Sequence, residues 1–262
     1  MATAKSFFSF IGRKTLNFFS EFGRIFILAK NILKYCPRVF RDKKLIIQQM
    51  AIIGADSLPL VVLIGVFTGA IAALQATTLF DKFNLMGIAT PFLGGSISTV
   101  MFQELTPVFT ALVIAGRVGG SMAAQIGAMQ ITEQIDALEI MAIDRNRYLG
   151  MPRVVATFIM IPLLAIFSSV VALLGAYFIV VTKFNIQPSI YIDSIQNYFK
   201  LYELFVCLAK TAAFGVVTSL IGVYVGFNTK DGAEGVGNST VKSFTLSAAA
   251  ILILDAIIGL FI

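Results

Sequence analysis

Histidine is absent from the 262 residues of the chain, and only two residues are cysteine. Without histidine, imidazole general-base catalysis and histidine-ligated metal sites are excluded. Cys36 lies near a basic amino-terminal region and Cys207 lies inside an apolar run, so the two are poor candidates for a disulfide. We therefore expect that the chain is not an enzyme and that it holds no metal.

Charged residues are also scarce, because they make up 13% of the sequence while hydrophobic residues make up 58%. A water-soluble domain cannot hide so many apolar groups. Several uncharged runs have about twenty residues, which matches the thickness of a bilayer. The runs lack the strict alternation of barrel strands, so the sequence predicts an all-α integral membrane protein.

The amino-terminal arm, residues 1–44, holds ten of the twenty Lys and Arg residues and only two acidic ones. Phenylalanines alternate with these charges, and a helical projection separates an apolar side from a basic side. The pattern predicts an amphipathic helix in the cytoplasmic interface, with the membrane-spanning domain at residues 45–262. A signal peptide is not expected, since Glu21 and Arg24 interrupt the apolar run.

Five transmembrane helices follow from the positive-inside rule. Both the arm and the cluster of Arg145, Arg147 and Arg153 are basic and are placed in the cytoplasm, so an even number of spans separates them. The amino terminus is then cytoplasmic and the carboxyl terminus periplasmic. The predicted spans are residues 58–80, 98–119, 154–182, 202–228 and 243–262.

The connections between these spans carry further predictions. Pro91, Gly94 and Gly95 predict a non-spanning apolar hairpin before the second span. The first span has an alternative start near Ile46, with a kink at Asp56 and Pro59. Residues 183–200 are predicted to form a short outer loop, and residues 230–237 a glycine-rich cytoplasmic turn. Pro162 is expected to kink the third span.

A polar stretch between the second and third spans predicts a short amphipathic helix at residues 131–144. On a helical projection, one stripe holds Ile131, Ile135 and Leu138 with Ala142, while an acidic face is formed by Glu133, Asp136 and Glu139. Thr132 is expected to cap this helix. The pattern fits a helix that docks into a basic groove of a partner, and it also fits an ordinary solvated loop helix.

Three charged residues interrupt the apolar spans: Glu104, Lys210 and Asp255. An ionised side chain at the bilayer centre costs roughly 2.5 to 3.5 kcal/mol, so each should face protein or water. All three are predicted at a similar depth, which suggests one shared site. Lys210 and Asp255 are expected to pair, whereas Glu104 has no evident partner.

Small residues predict close helix contacts in two places. Gly65 and Gly69 form one such face on the first span, and Gly116, Gly120 and Ala124 form another at the cytoplasmic end of the second. Arg117 lies at that same end, where it is expected to reach the interface or to bind helix carbonyls.

Several runs resemble the MlaE family of ABC-transporter permeases from about the first span onward. They are Glu104-Leu105-Thr106-Pro107, Ala115-Gly116-Arg117-Val118-Gly119, Thr132-Glu133-Gln134-Ile135-Asp136-Ala137-Leu138-Glu139, Tyr148-Leu149 and Pro152-Arg153. Thr106 departs from the family, which often has glycine there. The resemblance implies that residues 131–144 form the coupling helix that inserts into the ATPase subunit.

The resemblance further implies a permease that moves phospholipids between the bacterial inner membrane and a periplasmic Mce-domain partner, which maintains outer-membrane lipid asymmetry. The chain lacks a phosphate-binding loop, since Gly12-Arg13-Lys14-Thr15 has no preceding glycine, so ATP is expected on a separate subunit and the chain itself carries no cofactor. Five spans are too few to enclose a lipid path, so a homodimer is expected, with the cavity on its two-fold axis. Glu104, Lys210 and Asp255 are then expected on the wall of this lipid cavity, and the small-residue face of span 2 is expected to bring two copies of Glu104 near the axis. An additional cytoplasmic regulatory subunit is left open, and no nucleic acid is expected.

Two other functions remain open from the residues alone. One is a proton-coupled secondary transporter that uses Glu104, Lys210 and Asp255 as a relay, although no inverted repeat is evident. The other is a scaffold that tethers an Mce protein without transport. ATPase activity that depends on residues 131–144 would distinguish the permease from both.

Overall fold

The structure is a computed structural model that describes residues 16, 20–35, 37, 39 and 41–261. All regular structure in these residues is helical, and five helices are long and apolar enough to cross a membrane. We name them spans 1 to 5 in chain order: Lys43–Lys82, Gly87–Ile131, Asn146–Phe184, Leu201–Phe227 and Gly232–Gly259. The prediction of an all-α protein with five spans is therefore confirmed.

Span 1 follows a shorter helix, α1, at residues 20–33. It consists of α2 (Lys43–Gly54) and α3 (Leu58–Lys82), which are joined by one 3-10 turn, Ala55–Ser57. Pro59 occupies the first turn of α3, where its missing N–H removes no helical hydrogen bond. The early start of the first span and the break near Asp56 are thus both present.

Helix α1 packs on the spans with one side and leaves another apolar side exposed. Ile32 is buried, and Ile25 and Leu28 pack against the core, whereas Phe22 and Phe26 are more than half exposed. The apolar side that was predicted to lie in lipid is therefore divided between the protein core and the surface. Apart from Leu16, the part of the arm before residue 20 lies outside the described residues.

Span 2 is a nearly continuous helical run, so the hairpin predicted before it is wrong. Its segments are α4 (Met86–Ala89), a 3-10 turn (Thr90–Phe92), α5 (Leu93–Val100), a π-turn (Met101–Leu105), α6 (Thr106–Ile114), a second π-turn (Ala115–Gly119) and α7 (Gly120–Ile131). Pro91 is tolerated because it lies in the first turn of the 3-10 segment. A short helix, α8 (Gln134–Ile140), follows.

Span 3 consists of a π-turn (Asn146–Gly150) and α9 (Met151–Phe184), which continues through Pro162. Span 4 is α11 (Leu201–Phe227) and span 5 is α12 (Gly232–Gly259). Span 5 begins at Gly232, so the turn predicted at residues 230–237 is mostly helix. The loop predicted at residues 183–200 likewise contains a helix, α10 (Pro188–Tyr198).

Helix α10 lies at one end of the bundle, which we call the α10 end, and α8 lies at the other, the α8 end. Gly94 and Gly95 let α5 approach α10 closely, because a β-carbon at Gly95 would lie 2.5 Å from Cβ of Tyr198. Tyr191 of α10 is buried, and burial raises the pKa of its phenol. Its hydroxyl therefore stays protonated and donates to the carbonyl oxygen of Leu173, 3.3 Å away.

Spans 1 and 3 make the closest helix contact, and glycine allows it. A β-carbon at Gly65 would lie 2.8 Å from the carbonyl oxygen of Ser168, and one at Gly69 would overlap the carbonyl of Ala172. On span 3, a β-carbon at Gly175 would likewise overlap the backbone of Val66 on span 1. The two backbones therefore touch directly, as the spacing of Gly65 and Gly69 indicated.

Candidate functional site

Three spans meet at the ammonium group of Lys210. Its Nζ atom lies 2.9 Å from Oε1 of Glu104 on span 2 and 2.9 Å from Oδ1 of Asp255 on span 5. Lys210 itself is on span 4 and has no exposed side-chain surface. The expected pair with Asp255 is present, but the expectation that Glu104 lacks a partner is wrong. We call these three residues the charge triad.

The charge triad is asymmetric in its exposure. The side chain of Asp255 is 19% exposed and that of Glu104 is 49% exposed, while Lys210 is fully enclosed. A buried ammonium is tolerated only when it is paired, and here two carboxylates share it. Glu104 therefore combines a fixed position with an accessible carboxylate, and it is the member that a ligand can reach.

The local backbone explains how Glu104 is aimed at Lys210. Glu104 lies in the π-turn Met101–Leu105, where one extra residue is inserted into the helical repeat. The insertion changes the direction of side chains relative to a regular α-helix. Within this turn, the side chain of Glu104 lies toward span 4 and contacts Lys210.

The other two π-turns in the described residues also hold a charged side chain that pairs with a residue in span 1 or directly before it. Arg117, in Ala115–Gly119, donates to Oγ of Ser57 at 2.5 Å and lies 3.6 Å from Oδ2 of Asp56. Arg147, in Asn146–Gly150, donates twice to Asp42, from Nε at 3.1 Å and from Nη2 at 3.0 Å. Arg117 thus binds side chains of the 3-10 turn of span 1, not the helix carbonyls that were one of its two expected partners, and its reach to the interface stays a prediction.

Helix α8 is shorter than the predicted coupling helix, and its start differs. Thr132 does not cap it; its hydroxyl donates to the carbonyl oxygen of Ala128 at 2.7 Å and thereby helps to close α7. Glu133 takes the position before α8 in a left-handed conformation, with φ of 57°. After α8, Asp144 accepts hydrogen bonds from the Tyr35 hydroxyl at 2.8 Å and from the N–H of Asn146 at 2.7 Å.

The two faces of α8 nevertheless differ as the sequence pattern indicated. Ile135 is fully buried and Leu138 is partly buried, and both pack in a cluster with Ile126, Leu149 and Val223. Glu133, Asp136 and Glu139 are exposed, and Ile131 is half-buried. Ile140 is 86% exposed and Met141 is 62% exposed. The outward surface of α8 is thus both acidic and apolar.

The small-residue face of span 2 is covered by span 5 of the same chain. A β-carbon at Gly116 would lie 3.4 Å from the Phe244 ring, and one at Gly120 would lie 3.1 Å from the methyl carbon of Thr240. Ala124 is half-buried. The face that was expected to pack against a second copy is thus packed against span 5 of the same chain, and Lys210 binds Glu104. That two copies of Glu104 face each other stays a prediction.

Sequence reasoning missed Glu203, a second acidic residue on span 4. Glu203 is 4% exposed and lines a cavity of about 610 Å³ at the α10 end, between spans 2 and 4. Its Oε1 atom accepts a hydrogen bond from Thr99 of span 2 at 2.8 Å. The spacing of seven residues to Lys210 could have revealed it, because residues seven apart share one helix face.

Comparison with known proteins places the chain among membrane permeases. The family model described as Permease MlaE matches residues 46–261. A probable ABC transporter permease protein of Synechocystis sp. is 35% identical over 235 residues, which cover 90% of this chain and 88% of the relative. A probable ABC transporter permease protein of Rickettsia typhi is 35% identical over 256 residues, covering 95% of this chain and 94% of the relative.

A further relative carries a more specific name. The intermembrane phospholipid transport system permease protein MlaE of Haemophilus influenzae is 29% identical over 254 residues, which cover 97% of this chain and 96% of the relative. The match to the family model includes the charge triad and α8, because it extends over residues 46–261.

Proposed function

The chain belongs to the MlaE family of ABC-transporter permeases, and we propose that the cargo it moves is phospholipid. The observation that carries this proposal is the charge triad, in which a half-exposed carboxylate is fixed between apolar spans. A phospholipid needs both an apolar path for its chains and a polar contact for its headgroup. The spans offer many apolar side chains and few charges, which suits a lipid better than a sugar or an ion.

Glu104 is the residue with the clearest role in this path. Because Lys210 neutralises it on one side and about half of its surface stays open, Glu104 can accept hydrogen bonds from a headgroup while remaining in place. Asp255 anchors Lys210 from span 5 and keeps the ammonium from turning toward lipid. The charge triad thus provides a fixed polar binding site for a headgroup on the wall of a lipid cavity.

ATP is hydrolysed by a separate subunit in this proposal, and α8 is the contact with it. The buried pair Ile135 and Leu138 fixes α8 on the ends of the spans. The exposed Asp136 and Glu139 suit a basic groove, and the exposed Ile140 suits an apolar pocket within it. A movement of the ATPase subunit would therefore be transmitted through α8 to spans 2 and 3.

The proposed assembly is a homodimer in the bacterial inner membrane, with the α8 end in the cytoplasm and the α10 end in the periplasm. Arg145 and Arg147 lie near α8, and the basic helix α1 is at the same end, in agreement with the positive-inside rule. A periplasmic Mce-domain protein would receive or supply the lipid at the α10 end. Such exchange would maintain the lipid asymmetry of the outer membrane.

The test is transport in proteoliposomes that contain the full chain and its ATPase subunit. Labelled phospholipid should leave the membrane for an Mce acceptor only when ATP is hydrolysed. The matched control replaces ATP with a non-hydrolysable analogue. Transfer that needs a proton gradient and no ATP would instead favour the proton-coupled transporter, and ATPase activity without any transfer would favour the scaffold.

A further inference from the structure

The cavity beside Glu203 is a polar site between spans 2 and 4 that is separate from the charge triad. It lies at the α10 end and has a volume of about 610 Å³, which is in the range of small-molecule sites. Aromatic and polar side chains line it together: Thr99, Gln103, Tyr198, Lys200, Tyr202 and Glu203. Neither the charge triad nor α8 contributes a residue to this lining.

One oxygen of Glu203 has no partner in the described part of the chain. Oε1 is satisfied by the Thr99 hydroxyl, but Oε2 is buried and accepts no hydrogen bond from any described residue. The start of α11 favours a negative charge there, yet the N–H of Glu203 itself donates to the carbonyl oxygen of Lys200. A buried carboxylate oxygen without a donor is costly, so a donor from a ligand would stabilise it.

We infer that this cavity binds a primary ammonium group of a zwitterionic phosphodiester headgroup, with phosphatidylethanolamine as the ligand. A primary ammonium carries a positive charge and three N–H donors, and the Oε2 atom of Glu203 accepts no hydrogen bond from the described residues. A trimethylammonium group has the charge but no N–H donor. The Glu203 carboxylate therefore selects ethanolamine over choline.

Lys200 supplies the opposite charge for the phosphate. It is exposed and lines the same cavity, three residues before Glu203 in the chain. Tyr198 and Tyr202 add amphipathic rings of the kind that lie at headgroup level in membranes. A phosphate near Lys200 and an ammonium near Glu203 would place one headgroup across the cavity, with its acyl chains toward the apolar surface of the spans.

This site rests on the proposed function, because it supplies a headgroup for the phospholipid cargo. Glu203 and Lys210 lie seven residues apart on one face of α11, which is about 10 Å along the helix. A headgroup at Glu203 is then two helical turns from the charge triad. The cavity is thus a headgroup-selective binding site at the α10 end of the proposed lipid path.

The experiment compares headgroups on the purified full chain in detergent by native mass spectrometry. Phosphatidylethanolamine should bind roughly tenfold or more tightly than phosphatidylcholine with the same acyl chains, because only the former donates a charge-assisted hydrogen bond. Glu203→Gln should abolish this preference. Asp193→Asn, at an exposed carboxylate on α10 outside the cavity, should retain it.

Two results would overturn the inference: equal binding of the two lipids to the unaltered chain, or an unchanged preference in Glu203→Gln. The first comparison needs no variant, so a folding defect cannot obscure it. Displacement of the lipid by equimolar glycerophosphoethanolamine would show that a soluble headgroup is the ligand and would overturn the lipid assignment. Because binding is measured without ATP, failure of ATP-driven transfer would contradict the proposed function and not this site.

Discussion

The Nζ atom of Lys210 and the Oδ1 atom of Asp255 lie 2.9 Å apart across spans 4 and 5, where the Lys210 side chain has no contact with solvent. Glu104 is a second partner of the same ammonium. Loss of either carboxylate alone therefore leaves Lys210 paired, whereas loss of both leaves a buried charge without compensation.

The first prediction follows from this shared pairing. Glu104→Gln and Asp255→Asn should each lower the free energy of unfolding by about 1 kcal/mol, and together they should lower it by roughly 3 to 5 kcal/mol. Adding Lys210→Met to the double variant should restore much of the loss, because the uncompensated charge is then removed. Denaturant-induced unfolding in detergent micelles measures the free energy of unfolding of each variant.

The control for this series is an exposed ion pair between α1 and span 5. Lys242 and Glu21 lie 2.9 Å apart, with side chains that are 50% and 42% exposed. Glu21→Gln should change the free energy of unfolding by at most about 1 kcal/mol. Strictly additive losses in the double carboxamide variant would show that Glu104 and Asp255 do not share one ammonium.

The second prediction concerns the contact between spans 1 and 3. Gly69→Ala should destabilise the fold by about 2 kcal/mol or more, since its β-carbon would overlap the Ala172 carbonyl and separate two packed backbones. Gly237→Ala is the matched control in span 5, where a β-carbon meets no atom within 4 Å. This control should be neutral or stabilising by up to about 1 kcal/mol. Thermal unfolding of both variants tests the contrast.

The third prediction concerns the paired guanidinium of Arg147. Arg147→Lys should lower the unfolding midpoint, because a lysine cannot reproduce the two parallel hydrogen bonds to Asp42. Arg145→Lys is the control, since Arg145 makes a single longer contact of 3.5 Å with Glu139. Equal unfolding midpoints for the two variants would contradict a specific role for the double hydrogen bond.

The five spans could be predicted because uncharged runs of bilayer length indicate membrane-spanning helices. The start of span 5 was missed, because Gly232 and the glycines after it have low helix propensity. Packing overrides that propensity: Gly235, Ser239, Ser243 and Ser247 recur every four residues and are all buried. The same small-residue spacing is visible in the sequence and would have extended the predicted helix.

The charge triad was only half predictable from the sequence. Lys210 lies within the apolar part of span 4 and Asp255 within that of span 5, so their pairing follows from the cost of leaving either charge alone there. Glu104 was placed at a dimer axis because the small-residue face of span 2 was expected to pack against a second copy, whereas span 5 covers that face and Lys210 binds Glu104. The role of Thr132 was ambiguous in the sequence, because its hydroxyl can form a hydrogen bond either forward to the start of α8 or backward to the carbonyl of Ala128.

The fourth prediction tests α8 as the contact with the ATPase subunit. Reversing charge with Asp136→Lys and Glu139→Lys together should release the ATPase while the permease stays folded in the membrane, because a basic groove would then face like charges. Asp193→Lys on α10 is the control, since its carboxylate is exposed at the opposite end of the bundle. Co-purification measures the stoichiometry of the complex. An ATPase content equal to that of the unaltered complex would exclude α8 as an electrostatic docking element.

The last prediction concerns Glu104 as the accessible member of the charge triad. In a chain with Cys36→Ala and Cys207→Ala, Glu104→Cys carrying a photoactivatable crosslinker should label phospholipid, because half of the native side chain is open to the surroundings. Lys230→Cys with the same crosslinker, placed between spans 4 and 5 at the α8 end, should label lipid several-fold less.

Glu104→Gln complements the labelling experiment, because it keeps an acceptor for Lys210 but removes the negative charge. Assembly and ATPase binding should be unchanged, and ATP-driven lipid transfer should change several-fold, since the headgroup then meets a neutral amide beside a buried cation. If the cysteine variant never labels lipid and the Gln variant transfers lipid at the normal rate, Glu104 only anchors Lys210. The lipid path must then lie on another face of the spans.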